Sequence, residues 1–218
     1  MSSHSHHPNP YLLIFDLDGT LVDSRSDLAA GINHMRRHFG LGELAQETIS
    51  GYIGSGVRDL VERSLQGANV PIIEALNTHQ AYYRSHLSVH TTTYPGVCDG
   101  IRTLSGAGHK LALLTNKPGA PSRTILTHFG LDTFFSSVIG GGDVEGLKPA
   151  PDGIFKSLDA TGLDASRAWM IGDHHTDLVA AENAGVRSAF AEYGFGSRRG
   201  HEADAYFDSF SELVRFFN

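Results

Sequence analysis

The 218-residue chain contains a single cysteine, Cys98. One thiol cannot form a disulfide within the chain, so the fold does not need an oxidising compartment. The first residues also lack the basic and apolar segments that together mark a secretory signal. These two absences predict a cytoplasmic location.

Positive charge is scarce as well. The chain has 17 Lys and Arg residues against 24 Asp and Glu, which gives a net charge of −7. This balance argues against nucleic acid or an anionic membrane as the main partner. Only four lysines occur, and none lies before residue 110. A chain of this kind can neutralise an anionic ligand only where it concentrates its few cations.

The remaining composition is ordinary for a globular protein. Hydrophobic residues make up 40% of the chain and charged residues 19%. The length suits one domain, or one domain with an insertion. We expect residues 1–9, which include His4, His6 and His7, to form a disordered tail that takes no part in function.

The most informative segment is the apolar run at residues 12–15, followed by Asp16, Leu17 and Asp18. The run is typical of a short buried strand. Because residues two apart face the same side of an extended chain, both carboxylates can address one ligand. Two acids at the end of a buried strand are unfavourable unless a cation or a proton compensates them. The segment therefore predicts a functional site.

Three later segments also place polar groups after apolar runs or in rigid loops. Residues 111–114 lead into Thr115, Asn116 and Lys117, and Lys148 lies in a loop flanked by prolines. Residues 169–172 lead into Asp173, and Asp177 follows four residues later. Strands and helices alternate in this half of the chain. The alternation predicts a doubly wound parallel α/β sheet whose ligand site lies at the carboxyl ends of the strands.

Residues 24–93 differ from the rest, because apolar side chains such as Leu28, Ile32 and Met35 recur there at helical spacing. We expect an all-helical cap domain over 24–93, inserted into a core domain formed by 10–23 and 94–218. Ser24 is the predicted N-cap of the first helix, and residues 91–96 form the predicted hinge back to the core.

The four polar segments, in this order, resemble the four motifs of the haloacid dehalogenase (HAD) superfamily, and the resemblance extends from Tyr11 to nearly the end of the chain. It implies hydrolysis of a phosphate monoester with Asp16 as the nucleophile, through an aspartyl-phosphate. Asp18 would protonate the leaving oxygen and then activate water. Thr115 and the Asn116 backbone would hold phosphoryl oxygens, and Lys148 would neutralise charge.

The same resemblance implies a Mg²⁺ site, since Mg²⁺ prefers oxygen ligands and a few carboxylates. Asp16, the Asp18 carbonyl and Asp173 would bind the ion, while Asp177 would act indirectly by orienting waters or the lysine. Gly19 and Thr20 join Asn116 as substrate-binding candidates. His174 stands where relatives commonly have a small hydroxyl residue. We expect His174 and His175 to be solvated loop residues, although a role in metal preference or pH dependence is the alternative.

Segments in the expected cap and just after it resemble the phosphoglycolate phosphatase branch of the superfamily. They comprise residues 54–58, 82–84 and 94–96. Arg25 and Arg58 are candidates for a substrate carboxylate, because guanidinium binds carboxylate in a bidentate manner. An exposed position on a helix is the alternative for Arg58.

Other substrates and classes stay open at this point. Nucleotides, pyrophosphate and sugar phosphates are alternative substrates, and a β-phosphoglucomutase-like phosphotransferase is an alternative reaction. A non-catalytic phosphate-binding protein is the remotest alternative, since Asp16, Asp18 and Lys148 are all present. A phosphonoacetaldehyde hydrolase would need a cap lysine, which this chain lacks. The expected partner is a small phosphorylated metabolite, bound by a monomer or a homodimer.

Overall fold

A computed structural model describes residues 10–218, so the tail expected at 1–9 lies outside the described residues. The elements occur along the chain in the order β1 (Leu12–Phe15), β2 (Val22–Asp23), α1 (Arg25–His38), α2 (Gln46–Ser50), α3 (Val57–Leu65), α4 (Ile72–Arg84), β3 (Thr92–Thr93), α5 (Val97–Gly106), β4 (Lys110–Pro118), α6 (Gly119–His128), β5 (Phe135–Gly141), α7 (Asp152–Thr161), β6 (Ala168–Gly172), α8 (His175–Ala184), β7 (Arg187–Ala191), β8 (Ala205–Phe207) and α9 (Phe210–Phe217).

Six parallel strands form the main sheet, in the order β5-β4-β1-β6-β7-β8. Strand β1 lies between β4 and β6, with Leu13 opposite Leu111 on one side and Trp169 on the other. All four β1 side chains are fully buried, which explains why the strand is a continuous apolar run. The predicted α/β class and parallel sheet are confirmed.

Apolar side chains cover both faces of this sheet. Alternate β1 residues belong to different clusters: Leu13 and Phe15 pack in one, and Leu12 and Ile14 in the other. Helix α9 packs Phe210 and Phe217 into the first cluster. In the described part of the chain, no helix is both long and apolar enough to cross a membrane.

Helices α1–α4 lie between β2 and β3, and α1 packs against α2, α3 and α4. The segment returns to the sheet through a short antiparallel pair, in which Val22 lies opposite Thr93 and Asp23 opposite Thr92. The predicted hinge thus includes a strand. Asp27 fixes the residues just before β3, because its carboxylate accepts hydrogen bonds from the N–H groups of His90 and Thr91.

The predicted helix-capping role of Ser24 is wrong in its chemistry. Ser24 does stand at the N-cap position of α1, but its hydroxyl makes no capping hydrogen bond. Instead it donates to Asp18 Oδ1 at 2.5 Å. The Ser24 hydroxyl therefore contacts the turn after β1 rather than the backbone N–H groups of α1.

Candidate active site

The carboxyl ends of the three central strands bring the polar segments together. Asp16 follows β1, Thr115 lies near the end of β4, and Asp173 follows β6. Parallel strands end at the same edge of a sheet, so residues far apart in sequence meet there. All three side chains are buried.

Three buried carboxylates form the centre of this site. One carboxylate oxygen from each of Asp16, Asp173 and Asp177 lies within 4.8 Å of the others. Burial raises the pKa of Asp16 to about 6, against the opposing effect of Lys148. Burial, followed by the charges of Asp16 and Asp177, raises the pKa of Asp173 well above its ordinary value.

Local backbone geometry holds Asp173 in place. Its Oδ2 accepts hydrogen bonds from the N–H groups of Phe195 and Gly196 at 3.0 and 2.7 Å. Gly19 approaches the same carboxylate so closely that a β-carbon there would lie 1.9 Å from Oδ2, and its φ is +86°. A side chain at position 19 would therefore both strain the backbone and displace the acid.

This donor set fits a hard divalent cation. Like-charged buried carboxylates need either protons or a cation, and the raised pKa values of Asp16 and Asp173 show that burial disfavours their ionised forms. Oxygen-only ligands suit Mg²⁺, Ca²⁺ or Mn²⁺ better than softer metals. The cluster is thus chemically suited to a metal ion.

Lys148 is the cation nearest to these acids. Its Nζ lies 2.9 Å from Asp16 Oδ1 and 2.6 Å from Asp177 Oδ1, and donates to the Leu114 carbonyl at 2.8 Å. Burial alone would lower the pKa of Lys148, but the two carboxylates outweigh it and the pKa is raised. The ammonium group therefore stays charged between the two aspartates.

Asp18 turns towards a different cation, Lys117. Lys117 Nζ donates to both carboxylate oxygens at 3.1 Å and lies 4.8 Å from the centre of the Tyr83 ring. Burial opposes the charge on Lys117, yet Asp18 raises its pKa. The Asp18 side chain is not a member of the acidic cluster formed by Asp16, Asp173 and Asp177.

Asn116 links three parts of the site through its side chain. Its amide nitrogen donates to the carbonyls of Gly54 and Lys148, and its amide oxygen accepts from the Lys148 N–H. Gly54 belongs to the helical segment, whereas Lys148 contacts Asp16. One side chain therefore connects the helical segment to the loop that carries the lysine.

His174 is buried, so the expectation of a solvated loop residue is wrong for this position. Its ring accepts from the Thr176 N–H and so caps helix α8. A β-carbon on Gly54 would lie 2.8 Å from the ring, which shows how closely the helical segment approaches. Burial lowers the pKa of His174 to about 3. His175 is half-buried beside it.

A cavity of about 180 Å³ opens between Asp16 and the helical segment. Its walls combine the ends of β1 and β4 with the inner faces of α1, α3 and α4. The residues that line it are Asp16, Asp18, Leu28, Ile53, Gly54, Gly56, Val57, Leu60, His79, Gln80, Tyr83, Arg84, Leu87, Thr115, Asn116, Lys117, Pro118, Ala120 and Pro121.

Comparison with known proteins agrees with this geometry. The model of the haloacid dehalogenase-like hydrolase family matches residues 13–191. Phosphoglycolate phosphatase of Colwellia psychrerythraea is 34% identical over 216 residues, covering 93% of this chain and 95% of that protein. Phosphoglycolate phosphatase of Aquifex aeolicus is 31% identical over 205 residues, covering 94% and 95%.

The fold agrees as well. A crystal structure described as a predicted phosphoglycolate phosphatase from Haemophilus somnus superposes with a TM-score of 0.91 at 29% identity, covering 96% of this chain and 98% of that one. The chain belongs to the haloacid dehalogenase-like hydrolase family. The resemblance and the assignment as an enzyme are thereby confirmed.

The two arginines expected to bind a carboxylate do not line the cavity of this HAD protein. Arg58 is exposed and pairs with Glu62 on the same helix at 2.9 Å. Arg25 pairs with Asp23 at 2.6 Å and lies over the Phe195 ring. The exposure of Arg58 follows from its position around helix α3, because Leu60, Val61 and Leu65 form the buried face of that helix.

Gly19 and Thr20 do not offer free backbone donors to a substrate. The Gly19 N–H donates to the Val22 carbonyl and the Thr20 N–H to the Leu17 carbonyl. Thr20 is fully buried. Both residues instead shape the turn after β1.

The site contains residues that sequence reasoning missed. Lys117 was visible as a lysine beside the second HAD motif, but its pairing with Asp18 joins positions 99 residues apart. His79, Tyr83 and Arg84 line the cavity from α4. Tyr83 and Arg84 lie in a segment that resembles the phosphoglycolate phosphatase branch, whereas His79 carried no sequence signal.

Proposed function

We propose that this HAD hydrolase is a Mg²⁺-dependent phosphatase that hydrolyses 2-phosphoglycolate through an aspartyl-phosphate. The observation that carries the proposal is the environment of Asp16. Its carboxylate pairs with Lys148, neighbours Asp173 and lines the cavity of about 180 Å³. The names of the relatives support phosphoglycolate as the substrate.

In the first step, an Asp16 oxygen attacks phosphorus while the bond from phosphorus to the substrate oxygen breaks. Asp18, on the cavity wall, gives its proton to that leaving oxygen. In the second step, Asp18 removes a proton from water, which attacks phosphorus and frees Asp16. Lys148 offsets negative charge near Asp16 in both steps.

Asp16, the Asp18 carbonyl and Asp173 would hold Mg²⁺, with Asp177 keeping Lys148 in position. The bound ion supplies positive charge to the phosphoryl oxygens and orients them. The Thr115 hydroxyl would bind a phosphoryl oxygen, and Thr115 lines the cavity. Asn116 positions Lys148 through its side chain, in addition to the proposed backbone contact.

The helical segment 24–93 acts in this proposal as a cap domain over the core formed by 10–23 and 94–218. Gly54 contacts Asn116 and His174, so the cap touches two catalytic motifs. A closed cap would exclude water before the first step. The cytoplasmic location and the monomeric or dimeric state remain predictions.

The test is phosphate release from a substrate panel at millimolar Mg²⁺, with an EDTA control and Asp16→Asn as the blank. The panel contains 2-phosphoglycolate, nucleoside monophosphates, pyrophosphate and hexose phosphates. We expect Mg²⁺-dependent release, with the highest kcat/KM for 2-phosphoglycolate. Preference for another compound would refute the substrate, and no release by folded protein would refute the phosphatase.

A further inference from the structure

The inner face of helix α4 carries polar atoms that no other described residue satisfies. His79 is 1% exposed, and neither of its ring nitrogens has a hydrogen-bond partner there. The hydroxyl of buried Tyr83, one helical turn later, has no partner of good hydrogen-bond geometry in the described chain, although Lys117 lies close enough to interact with it. Buried polar groups are normally paired, so two such residues on one face need an explanation.

Packing fixes the His79 ring without satisfying its nitrogens. The ring stacks on Tyr83 with centroids 5.5 Å apart. Its Nε2 faces Gly31 of α1, where a β-carbon would lie 3.1 Å away. Both His79 and Tyr83 line the cavity above Asp16. The two side chains are therefore held rigidly at the wall of this cavity, as preorganised recognition groups are.

The two cations that line the cavity lie at the α4 wall: Arg84 belongs to α4, and Lys117 Nζ lies 4.8 Å from the centre of the Tyr83 ring. Apart from Asp16 and Asp18, the charged residues that line the cavity are Lys117 and Arg84. Burial, followed by the charge of Lys117, lowers the pKa of His79 to about 4. A neutral imidazole keeps one N–H donor. This side of the cavity thus offers an imidazole N–H, a phenol O–H, the guanidinium of Arg84 and the ammonium of Lys117, which Asp18 also binds.

The size and remaining composition of the cavity limit the ligand further. Its volume of about 180 Å³ lies below the roughly 300–1,000 Å³ of typical ligand pockets. Apolar side chains such as Leu28, Leu60 and Leu87 supply much of the wall. They cannot pair with the hydroxyl groups of a sugar, whereas a small acid needs donors at one end only.

We propose that His79, Tyr83 and Arg84, together with Lys117, form the subsite for the non-reacting carboxylate of the substrate. This subsite sets a preference for small phosphorylated acids over phosphate monoesters of the same size that lack the carboxylate. The inference rests on the proposed function, because it requires the phosphoryl group to lie at Asp16. It also assigns to residues of α4 and to Lys117 the role expected of Arg25 and Arg58.

The test compares 2-phosphoglycolate with ethyl phosphate, which lacks the carboxylate. For Tyr83→Phe and His79→Leu, we expect the ratio of the two kcat/KM values to fall roughly tenfold or more, mainly through KM for the acid. The matched control is Tyr82→Phe, since Tyr82 does not line the cavity and stacks between His34 and His86. The control should keep the wild-type ratio.

Equal losses on both substrates, or no loss on either, would overturn the subsite. Tyr83→Phe removes one oxygen only, so it serves if His79→Leu fails to fold. A binding measurement distinguishes failure of the proposed subsite from failure of the proposed function. In an Asp16→Asn background, calorimetry should show tighter binding of 2-phosphoglycolate than of ethyl phosphate, and Tyr83→Phe should reduce the difference. If the two ligands bind equally, the subsite is refuted even where turnover persists.

Discussion

The edge of the sheet and the inner face of α4 enclose the same cavity, yet their polar groups differ in state. At the sheet edge, Lys148 lies between Asp16 and Asp177, and Lys117 binds Asp18. On α4, His79 and Tyr83 keep polar atoms without hydrogen-bond partners of good geometry in the described chain. Under the proposed function, the groups for chemistry are positioned by one another before substrate binds, whereas His79 and Tyr83 are left for the substrate to satisfy.

Removing the central cation should break this arrangement most severely. Lys148→Met leaves the carboxylates of Asp16 and Asp177 buried without their partner, which typically costs about 3–5 kcal/mol. We expect a loss of activity of roughly a thousandfold or more and a lower free energy of unfolding. Steady-state kinetics and urea denaturation measure the two effects.

Lys156→Met is the matched control for this substitution. Lys156 is exposed, and its Nζ donates to the Asp143 carbonyl. Its replacement should leave activity within about twofold and stability within about 0.5 kcal/mol. Similar behaviour of both variants would contradict the central role of Lys148.

The pH dependence of stability tests the buried charge directly. In metal-free protein the pKa of Asp16 is about 6, against 3.8 for the ordinary group. The folded state therefore binds this proton more tightly, so the free energy of unfolding should fall as pH rises from about 4 to about 6. The expected contribution is about 3 kcal/mol.

Asp16→Asn should remove this part of the slope, which urea denaturation in EDTA across that pH range would detect. Mg²⁺ should restore stability to the wild-type protein above pH 6 by binding the folded state. Identical slopes in the wild type and the variant would show that burial does not act on Asp16 in this way.

The link between the cap and the lysine loop should have a moderate effect. Asn116→Ala removes the hydrogen bonds to Gly54 and Lys148, and we expect kcat to fall roughly tenfold to a hundredfold. Asn183→Ala is the control, because Asn183 is exposed and donates to Pro149 in the same loop. Equal kinetics of the two variants would argue against a positioning role for Asn116.

The smallest predicted effect concerns two arginines of the helical segment 24–93, Arg58 and Arg84. Arg58 forms an exposed pair with Glu62, and such pairs contribute about 0–1 kcal/mol. We expect Arg58→Ala to leave kcat/KM for 2-phosphoglycolate within about twofold. Arg84→Ala, at the cavity, should lower kcat/KM for 2-phosphoglycolate more than kcat/KM for ethyl phosphate. A selective loss with Arg58→Ala would restore the original assignment.

Sequence reasoning succeeded where one local pattern determined the structure. Strands β1, β4 and β6 contain the apolar runs 12–15, 111–114 and 169–172, each of which leads into polar residues. Helix α2 and the β2–β3 pair are too short to show periodicity. Phe210, Leu213 and Phe217 repeat at helical spacing, so α9 did carry a usable signal.

The candidate site likewise has a part that local sequence patterns predict and a part that they do not. The motif aspartates and Lys148 lie together because strand ends converge in this fold. The partner of Lys117 and the burial of His174 depend on contacts between distant segments, which no local pattern encodes. Their guanidinium groups make Arg25 and Arg58 candidates for binding a substrate carboxylate, but in the structure each pairs with a neighbouring carboxylate of the chain itself.

The most direct test of the account is to trap the phosphoryl group on the protein. Wild-type enzyme would be mixed with excess 2-phosphoglycolate and Mg²⁺, quenched within one turnover and reduced with borohydride, which converts an aspartyl-phosphate to homoserine. Peptide mass spectrometry should find homoserine at position 16 in the wild type mixed with substrate and not in the wild type mixed without substrate. Modification at another residue, or none during active turnover, would contradict Asp16 as the nucleophile.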